Sequence, residues 1–385
     1  RQRRPVPIRW PFVVSRRGAI QTPPKLLSLT GGRTTGGAMA FFRRHRYAFQ
    51  ALLSVLFVLL LVWRVDLREA FARLRDVDYR WAVLGVFVFT FSKFVHSYRW
   101  RVFLWRRRDL PVSQLFGIFL MHNLVNALVP LRAGDVLRVQ VASQRFGIPR
   151  AELTATVFVV ETLLDGVVFV ALVFVGLFFL DLPFFSKPLF ATLATLVTLG
   201  FLAALALSRM DVGRDYSAVR PVRWLPQPAR RSVGELIPRF LEGMESLRRP
   251  RLALEAVGIS FAAWLVEVVV YWFLGHAFDL GLSFSDYVLV MIGANVVVSL
   301  PLTPWDIGPY EVAVAEVLAL LGVDRDVAGS YAVGSHLLLL VWISLTGIAA
   351  MWALGLRPRD IFGGLAEREA GPSEEPAAER RPSEG

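Results

Sequence analysis

The chain has 385 residues, 55% of them hydrophobic, and a formal net charge of +12 from 43 basic and 31 acidic residues. Several nearly uncharged runs are long enough to cross a bilayer, so the composition excludes an ordinary soluble protein and indicates a polytopic membrane protein. The absence of Cys excludes disulfides, thiolate metal sites and Cys nucleophiles.

The positive charge comes almost entirely from Arg, since only three of the basic residues are Lys. Most of these Arg stand in short loops beside apolar segments. In such loops Arg sets the membrane topology and meets anionic lipid headgroups. We therefore expect membrane lipids, and no nucleic acid, as partners.

The two ends of the chain are predicted to lie outside the membrane domain. Residues 1–38 are rich in Arg, Pro, Gly and Thr without helical period, so we expect a disordered or mis-annotated N-terminal extension. Met39 precedes a basic stretch and an apolar run, which makes residues 39–357 the membrane domain. Residues 358–385 are polar and Pro-rich, and we expect a disordered tail.

Eight apolar segments follow, and the Arg residues beside them predict their orientation. Cytoplasmic loops carry an excess of basic residues. The first segment follows three Arg within 43–46, and the 209–251 connection holds ten Arg and five acidic residues. Both are therefore assigned to the cytoplasmic side, as are both termini. The segments are 47–63, 81–98, 112–130, 151–180, 188–208, 252–275, 287–300 and 329–355.

The segment at 112–130 has basic flanks on both sides. Residues 131–150 hold four Arg against one acidic residue, and the connection before the segment holds five Arg: Arg99, Arg101, Arg106, Arg107 and Arg108. A segment that begins and ends on one side is a re-entrant hairpin rather than a span. It would enter as 112–129, turn at Pro130–Gly134 and return as 135–147. The alternative is that all eight segments are ordinary spans.

A second hairpin is predicted from the opposite face. Segment 287–300 breaks at 301–309 and resumes as 310–321, and its exit at 324–326 is net acidic, which suits the outside. Irregular backbone at membrane depth is tolerated only where it is buried in protein or lines a wet cavity. The two breaks therefore indicate a transporter-like site.

Each half of the domain then has the order span, hairpin, span, with opposite orientation in the two halves. The halves are residues 81–180 and 252–355. This predicts an all-α polytopic membrane protein with about six spanning helices and two re-entrant helical hairpins in an inverted repeat. In such repeats the substrate site lies near the midplane, between the halves.

Polar residues within or beside these segments are the candidates for substrate binding, because ionisable groups inside a membrane need a reason to be there. Glu161 and Asp165 share one helix face, four residues apart. For the acidic residues a structural role, pairing with Arg132 or Arg138 or accepting backbone N–H groups near 304–309, is the alternative to substrate contact. The candidates are Asn126, Arg132, Asp135, Arg138, Glu161, Asp165, Asn295, Asp306 and Glu311.

Other polar features have simpler explanations. Lys93 and His96, near the end of the second segment, are expected to snorkel to the interface. Residues 66–79 and 229–249 alternate apolar and charged positions at helical spacing, which predicts interfacial amphipathic helices. No H-E-x-x-H, G-x-S-x-G or Walker pattern occurs, so the sequence predicts no enzyme, metal or cofactor.

Three motifs follow one another along the chain. The first is Asn126-Ala-Leu-Val-Pro-Leu-Arg-Ala-Gly-Asp-Val-Leu-Arg138, the second is Glu161-Thr-Leu-Leu-Asp165 and the third is Pro304-Trp-Asp-Ile-Gly-Pro-Tyr-Glu311. In this order they resemble the Asn…Pro-Gly-Arg-x-Gly-Glu-x-x-Arg, Glu-Arg-x-x-Asp and Pro-Gly-Gly-x-Gly-x-x-Glu blocks of the transmembrane region of lysylphosphatidylglycerol synthases, a flippase-like family. The chain departs from these blocks at Leu131, Asp135, Thr162, Trp305 and Asp306.

The resemblance implies movement of a polar-headed lipid across the inner (plasma) membrane of a bacterium. The lipid would be a phospholipid, an aminoacyl-lipid or an isoprenoid-linked glycan, with an anionic headgroup expected. The soluble aminoacyltransferase domain of the bifunctional members is not expected here. The alternative is a non-transporting scaffold for a cytoplasmic lipid- or glycan-modifying enzyme, held through residues 209–251. A weaker alternative is an ion-coupled carrier of small solutes.

Overall fold

A computed structural model describes residues 59, 75–107, 109–129, 132–179, 187–298 and 303–356, and every regular element in these ranges is helical. This confirms the all-α prediction. The predicted extension, tail and first apolar segment lie outside the described residues, apart from Leu59, as does most of the predicted amphipathic helix at 66–79. The helices are α1 Tyr79–Phe103, α2 Val112–Leu128, α3 Ala133–Phe146, α4 150–179, α5 Lys187–Ser208, α6 Arg220–Arg223, α7 Gln227–Gly243, α8 Glu245–Arg248, α9 Pro250–Ala277, α10 Phe284–Val298, α11 Pro309–Leu320 and α12 Arg325–Ala353.

Four helices in the described part of the chain are long and apolar enough to cross a membrane. They are Tyr79–Phe103, Arg150–Leu172, Pro250–Ala277 and Arg325–Ala353. Their ends have local causes: the Asp78 carboxylate caps α1, and the Asp324 carboxylate caps α12. The multi-pass membrane architecture follows from these helices together with the shorter apolar ones.

Helices α1 and α9 pack against each other in antiparallel orientation along most of their length. The Asp78 amide donates to the Ala277 carbonyl at one end (3.0 Å), and Arg99 donates to Ser260 at the other (2.9 Å). Gly85 removes a side chain where α1 approaches Leu274. This crossing joins the first helix of each predicted repeat, as a two-fold axis in the membrane plane would require.

Helices α2 and α3 form an antiparallel helical hairpin. The Gly134 amide donates to Asn126 Oδ1 beside the turn (2.7 Å), and Arg145 Nε donates to Gln114 Oε1 at the open end (2.6 Å). Helix α3 begins after Arg132, which has a φ of 55°, and ends at Gly147, which is also left-handed. At 17 residues, α2 is about 25 Å long, less than the hydrocarbon thickness.

Helices α10 and α11 form the second helical pair, with Gly293 facing Val317. Their lengths, 15 and 12 residues, are also short for a membrane span. The helical pairing at both predicted hairpins is thus observed. That they dip into the membrane from opposite faces, and the number of full spans, stay predictions.

The hairpins pack against the last helix of the opposite half. Helix α2 lies along α12, where Gly117 faces Leu354 and Gly347 faces Leu124. Helix α10 makes a smaller contact with α4, α11 packs along α12 of its own half, and the turn at Pro304–Asp306 contacts α2. These contacts bring the second hairpin's turn to the first hairpin, and the inverted-repeat relation of the two halves stays a prediction.

Helices α7 and α8 fill the predicted amphipathic stretch at 229–249. Met244 and Leu247 are buried, whereas Leu236 is half exposed. Gly243 lets this segment approach the start of α4 closely, because a Cβ there would overlap the Glu152 carbonyl oxygen. The helical prediction for this stretch is confirmed, and its place at the membrane interface stays a prediction.

Candidate functional site

A fully buried arginine joins three helices of the domain. Arg99 of α1 donates to both carboxylate oxygens of Asp165, to Glu161 Oε1 at 3.2 Å and to Ser260 Oγ at 2.9 Å. Asp165 also accepts from the Trp264 indole at 3.0 Å. The two carboxylates that the sequence placed on one face of α4 therefore converge on a guanidinium that the sequence analysis did not select.

The first hairpin supplies a second buried arginine to the same site. Arg138 Nη2 lies 3.0 Å from Glu161 Oε2, and its guanidinium carbon lies 3.9 Å from the centre of the Trp100 indole. Nη2 is thus paired with the carboxylate, whereas Nε of Arg138 has no hydrogen-bond partner among the described residues. Arg99, Arg138, Glu161 and Asp165, here called the arginine site, together carry two positive and two negative charges.

The helix that holds the carboxylates is irregular just before them. Residues Ala155–Glu161 form a π-helical segment within α4. A π-helical turn widens the helix by one residue and changes the direction in which the following side chains point, and such turns are frequent at functional sites. Here it sets the position of Glu161 between Arg99 and Arg138.

The sequence analysis was wrong about Arg99, which it assigned to a basic loop after the segment 81–98. Helix α1 continues to Phe103, and Arg99 is buried within it. The available signal was spacing, because Ser92, His96 and Arg99 follow each other at four and three residues and so share one helix face. Arg99 supplies a guanidinium to Glu161 and Asp165.

The snorkelling prediction for Lys93 and His96 was also wrong. Both side chains turn into the protein, where Lys93 Nζ lies 2.6 Å and His96 Nε2 lies 3.5 Å from Glu267 Oε1. Ser92 also donates to Glu267. The carboxylate in the middle of α9 thus draws the basic side chains inward, because an unpaired charge there would be costly.

The first hairpin's turn has its own network. Asp135 accepts from Arg132 Nε at 2.9 Å and lies 3.2 Å from His122 Nδ1. The Asn126 side chain accepts a hydrogen bond from the Gly134 amide, and the Asp135 amide donates to the Arg132 carbonyl. Two of the N–H groups at the start of α3 are therefore engaged within the hairpin. Most of the Arg132 side chain is exposed, whereas Asp135 is buried.

The second hairpin's turn is held by Glu311. Its Oε2 accepts a hydrogen bond from the Gly308 amide at 2.6 Å, which is the structural role that the sequence analysis gave as an alternative to substrate contact. Its Oε1 lies 2.6 Å from His336 Nδ1. Trp305 and Asp306 have left-handed backbone angles, with φ values of 61° and 52°. Such angles are strained for non-glycine residues, so the surrounding contacts must hold this turn in place.

The predicted site residues fall into three groups. Arg138, Glu161 and Asp165 form the arginine site with Arg99, whereas Asn126, Arg132 and Asp135 hold the first turn and Asp306 and Glu311 belong to the second. Asn295 Nδ2 donates to the Met291 carbonyl of its own helix at 3.0 Å. Whether these residues bind substrate stays a prediction. The described residues contain no cluster of three or more side chains suited to a metal ion.

Comparison with known proteins identifies the family. The sequence profile of the lysylphosphatidylglycerol synthase TM region matches residues 47–347. A protein from Haloferax volcanii named Glycosyltransferase AglD is 26% identical over 350 residues, which cover 82% of this chain and 55% of that protein. The chain thus spans about half the length of this curated relative, and no solved structure matches it. Because the profile covers most of the sequence, this chain belongs to the lysylphosphatidylglycerol synthase TM region family.

Proposed function

We propose that this protein moves a polar-headed lipid between the leaflets of the membrane and binds the lipid's anionic headgroup at the arginine site. The observation that carries the proposal is Arg138. Its guanidinium is buried from solvent, and although Nη2 pairs with Glu161, Nε lacks a hydrogen-bond partner among the described residues. Buried donors without acceptors are costly, so a ligand that supplies acceptors is favoured there.

The surroundings of Arg138 suit a phosphate. Arg stays charged in any protein environment and offers a planar set of donors that matches phosphate oxygens. The Trp100 and Phe119 rings flank its guanidinium and hold it in place. An arriving phosphate would compete with Glu161 for Arg138, so headgroup binding would loosen the contact between the first hairpin and α4.

The family and its relative support the proposed substrate classes. Family membership supports a phospholipid or an aminoacyl-lipid, and the relative's name, a glycosyltransferase, is compatible with the proposed isoprenoid-linked glycan. All three classes carry a phosphate next to the acyl or prenyl chains, and the arginine site would recognise that shared group. We place the protein in a bacterial inner membrane with both termini in the cytoplasm.

Reconstitution in vesicles tests the proposal. The probe is fluorescently labelled phosphatidylglycerol in vesicles of phosphatidylglycerol and phosphatidylcholine, and the readout is the fraction that a membrane-impermeant quencher reaches over time. We expect protein-dependent movement that falls at least tenfold in Arg138→Ala, on the order of one lost charge-assisted contact. The matched control is Arg325→Ala, which removes an exposed ion pair with Glu316. Equal rates in Arg138→Ala and the wild type would contradict the proposal.

A scaffold role is the second candidate. In the segment 209–251, Trp224 is 81% exposed and Leu236 on α7 is half exposed. This segment therefore presents apolar side chains among many Arg. The relative's glycosyltransferase name makes a glycan-modifying enzyme a candidate partner. Here we propose no catalytic step for this chain itself.

Surface variants separate the two roles. Because α8 is anchored in the core, substitutions are preferable to deleting the segment. Under the scaffold role, the wild type would move no lipid in the vesicles, and Trp224→Ala with Leu236→Ser would abolish co-purification of a lipid- or glycan-modifying enzyme. Under the transport role, the same variant would keep its transport rate, and no such enzyme would co-purify with the wild type.

A further inference from the structure

A histidine–carboxylate pair lies apart from the arginine site. His336 of α12 and Glu311 of α11 face each other across 2.6 Å, and each is more than nine-tenths buried. The Tyr310 ring stacks on the imidazole at 4.1 Å between centres. The headgroup proposal gives this pair no role, although histidine is the side chain whose charge changes most readily near neutral pH.

The two hairpins hold equivalent carboxylates in different ways. Asp135 and Glu311 are each the third residue of the second hairpin helix, and each lies beside a histidine. In the first hairpin the residue before the helix is Arg132, whose side chain pairs with Asp135. In the second hairpin that position is Gly308, which has no side chain.

The carboxylate of the second hairpin therefore lacks a permanent positive partner. Among the described residues, no Lys or Arg forms an ion pair with Glu311, and His336 is the basic group that does. A proton on His336 would supply the charge that Arg132 supplies permanently in the first hairpin. A buried carboxylate with a titratable partner is the arrangement that proton relays in membranes use.

We propose that Glu311 and His336 form a proton-binding site that couples proton movement to lipid movement, an inference that rests on the proposed function. In the unloaded state a neutral imidazole donates its Nδ1–H to the Glu311 carboxylate, and the pair carries one negative charge. The incoming proton binds Nε2 and gives an imidazolium–carboxylate pair with no net charge. No bond other than this N–H forms or breaks.

The groups named below, which surround His336 and Glu311, are acidic or neutral, and this favours uptake of a proton by the pair. Asp306, in the preceding turn, adds another carboxylate close to His336 and Glu311. Tyr310 of α11 lies on the ring, with Tyr271 of α9 and Tyr331 of α12 behind it. These tyrosines are neutral near pH 7, so the local charge is negative until the proton binds.

The link to movement is the turn that Glu311 holds. One oxygen of the Glu311 carboxylate accepts a hydrogen bond from the Gly308 amide, and the other pairs with His336. Both contacts therefore depend on the same charge. Just before Gly308 lie the left-handed backbone angles of Trp305 and Asp306, and this turn packs on α2 of the first hairpin. Proton binding would thus change the contact that fixes one hairpin against the other.

A proton count tests the site without any lipid. The full chain, in detergent and weak buffer, is moved from about pH 8 to about pH 5, and bound protons are measured with an indicator dye. The variants are His336→Gln, which keeps a donor to Glu311, and Glu311→Gln, which keeps an acceptor for Gly308. The control His276→Gln removes a histidine that is exposed at the end of α9.

Replacing a histidine that takes up a proton over this range removes one bound proton, so His336→Gln should bind one proton fewer than the wild type, as should the control His276→Gln. If His336→Gln binds as many protons as the wild type, His336 does not titrate and the proposal is overturned. A normal elution profile in size-exclusion chromatography shows that each variant is folded.

Coupling is tested in the vesicles used above, with a pH gradient and the membrane potential clamped at zero. We expect the gradient to shift the leaflet ratio of labelled phosphatidylglycerol by up to about tenfold per pH unit, as one proton per lipid allows. A protonophore should abolish the shift. His336→Gln should still equilibrate the lipid but ignore the gradient, whereas His276→Gln should respond like the wild type.

The outcomes separate this inference from the function on which it rests. Wild-type movement that ignores the gradient would overturn proton coupling and leave lipid movement standing. A gradient response that survives in His336→Gln would overturn the assignment of the site. Absence of any protein-dependent lipid movement would contradict the proposed function, and the coupling with it.

Discussion

Charged side chains inside the apolar helices of this protein occur as compensated groups. Arg99 satisfies Asp165 and Glu161, and Lys93 satisfies Glu267. Such pairs add little stability compared with an apolar replacement, but removing one partner leaves an uncompensated charge in a poorly solvating interior. The cost of single substitutions should therefore exceed the cost of replacing both partners.

Arg99→Met should destabilise the protein by about 3–5 kcal/mol, because Asp165 would keep its charge without its positive partner. Asp165→Leu should have a similar effect, and the double variant should be more stable than the sum of the two predicts. Unfolding of the detergent-solubilised protein in denaturant measures these differences. Additive effects would show that the two side chains do not interact.

Lys93→Met distinguishes a buried Lys from a snorkelling one. Since Lys93 Nζ lies 2.6 Å from Glu267, the variant should lose about 3–5 kcal/mol, and adding Glu267→Leu should restore most of it. The exposed pair of Arg325 and Glu316 is the control, and Arg325→Ala should change stability by less than about 1 kcal/mol. A Lys93→Met variant as stable as Arg325→Ala would contradict the burial of Lys93.

At the scale of the elements, close approach of backbones defines the hairpins. The start of α3 lies against α2 so closely that a Cβ at Gly134 would overlap the His122 carbonyl oxygen and the Asn126 side chain. Backbone atoms cannot move aside as a flexible side chain can. The turn of the first hairpin therefore depends on the absence of a side chain at this position.

Gly134→Ala should separate α2 from α3 and break the bond from the Gly134 amide to Asn126, with a loss of about 1–3 kcal/mol from overpacking. Gly258→Ala is the matched control, because a Cβ there meets nothing within 4 Å and Ala favours a helix interior. We expect Gly258→Ala to be neutral or slightly stabilising in thermal unfolding. Equal stability of both variants would contradict the tight α2–α3 contact.

At the scale of the whole molecule, the inverted repeat predicts which face of the membrane each hairpin enters. Because the chain has no Cys, single cysteines can be introduced without removing others. With a membrane-impermeant maleimide, Ser113→Cys and Gln144→Cys should react from the cytoplasmic side. Ser283→Cys and Leu320→Cys, at the ends of the second hairpin, should react from the outside.

A residue near the first turn separates a re-entrant hairpin from two full spans. Ala133→Cys should not react with the reagent applied from outside, because a re-entrant hairpin turns within the membrane. Reaction of Ala133→Cys from outside would show that α2 and α3 cross completely. The two short helices, about 25 Å and 21 Å long, favour the re-entrant arrangement.

The sequence by itself determined the membrane class, the helical fold and the helix breaks, because hydrophobic length, Pro and Gly act locally. It also placed Glu161 and Asp165 on one face and identified Arg138 as a candidate. It missed Arg99, the inward turn of Lys93 and His96, and His336 as a partner of Glu311. These contacts join residues far apart in the chain, from 25 positions for Glu311 and His336 to 174 positions for Lys93 and Glu267.

Only the tertiary structure decided which charge meets which. An arginine beside an apolar segment satisfies the positive-inside rule equally well in a loop or inside a helix, so composition cannot tell the two apart. The choice depends on whether a carboxylate from another helix lies within reach, since a buried charge is stable only with a partner. For Arg99 those partners come from α4, which the crossing of α1, α4 and α9 brings to it.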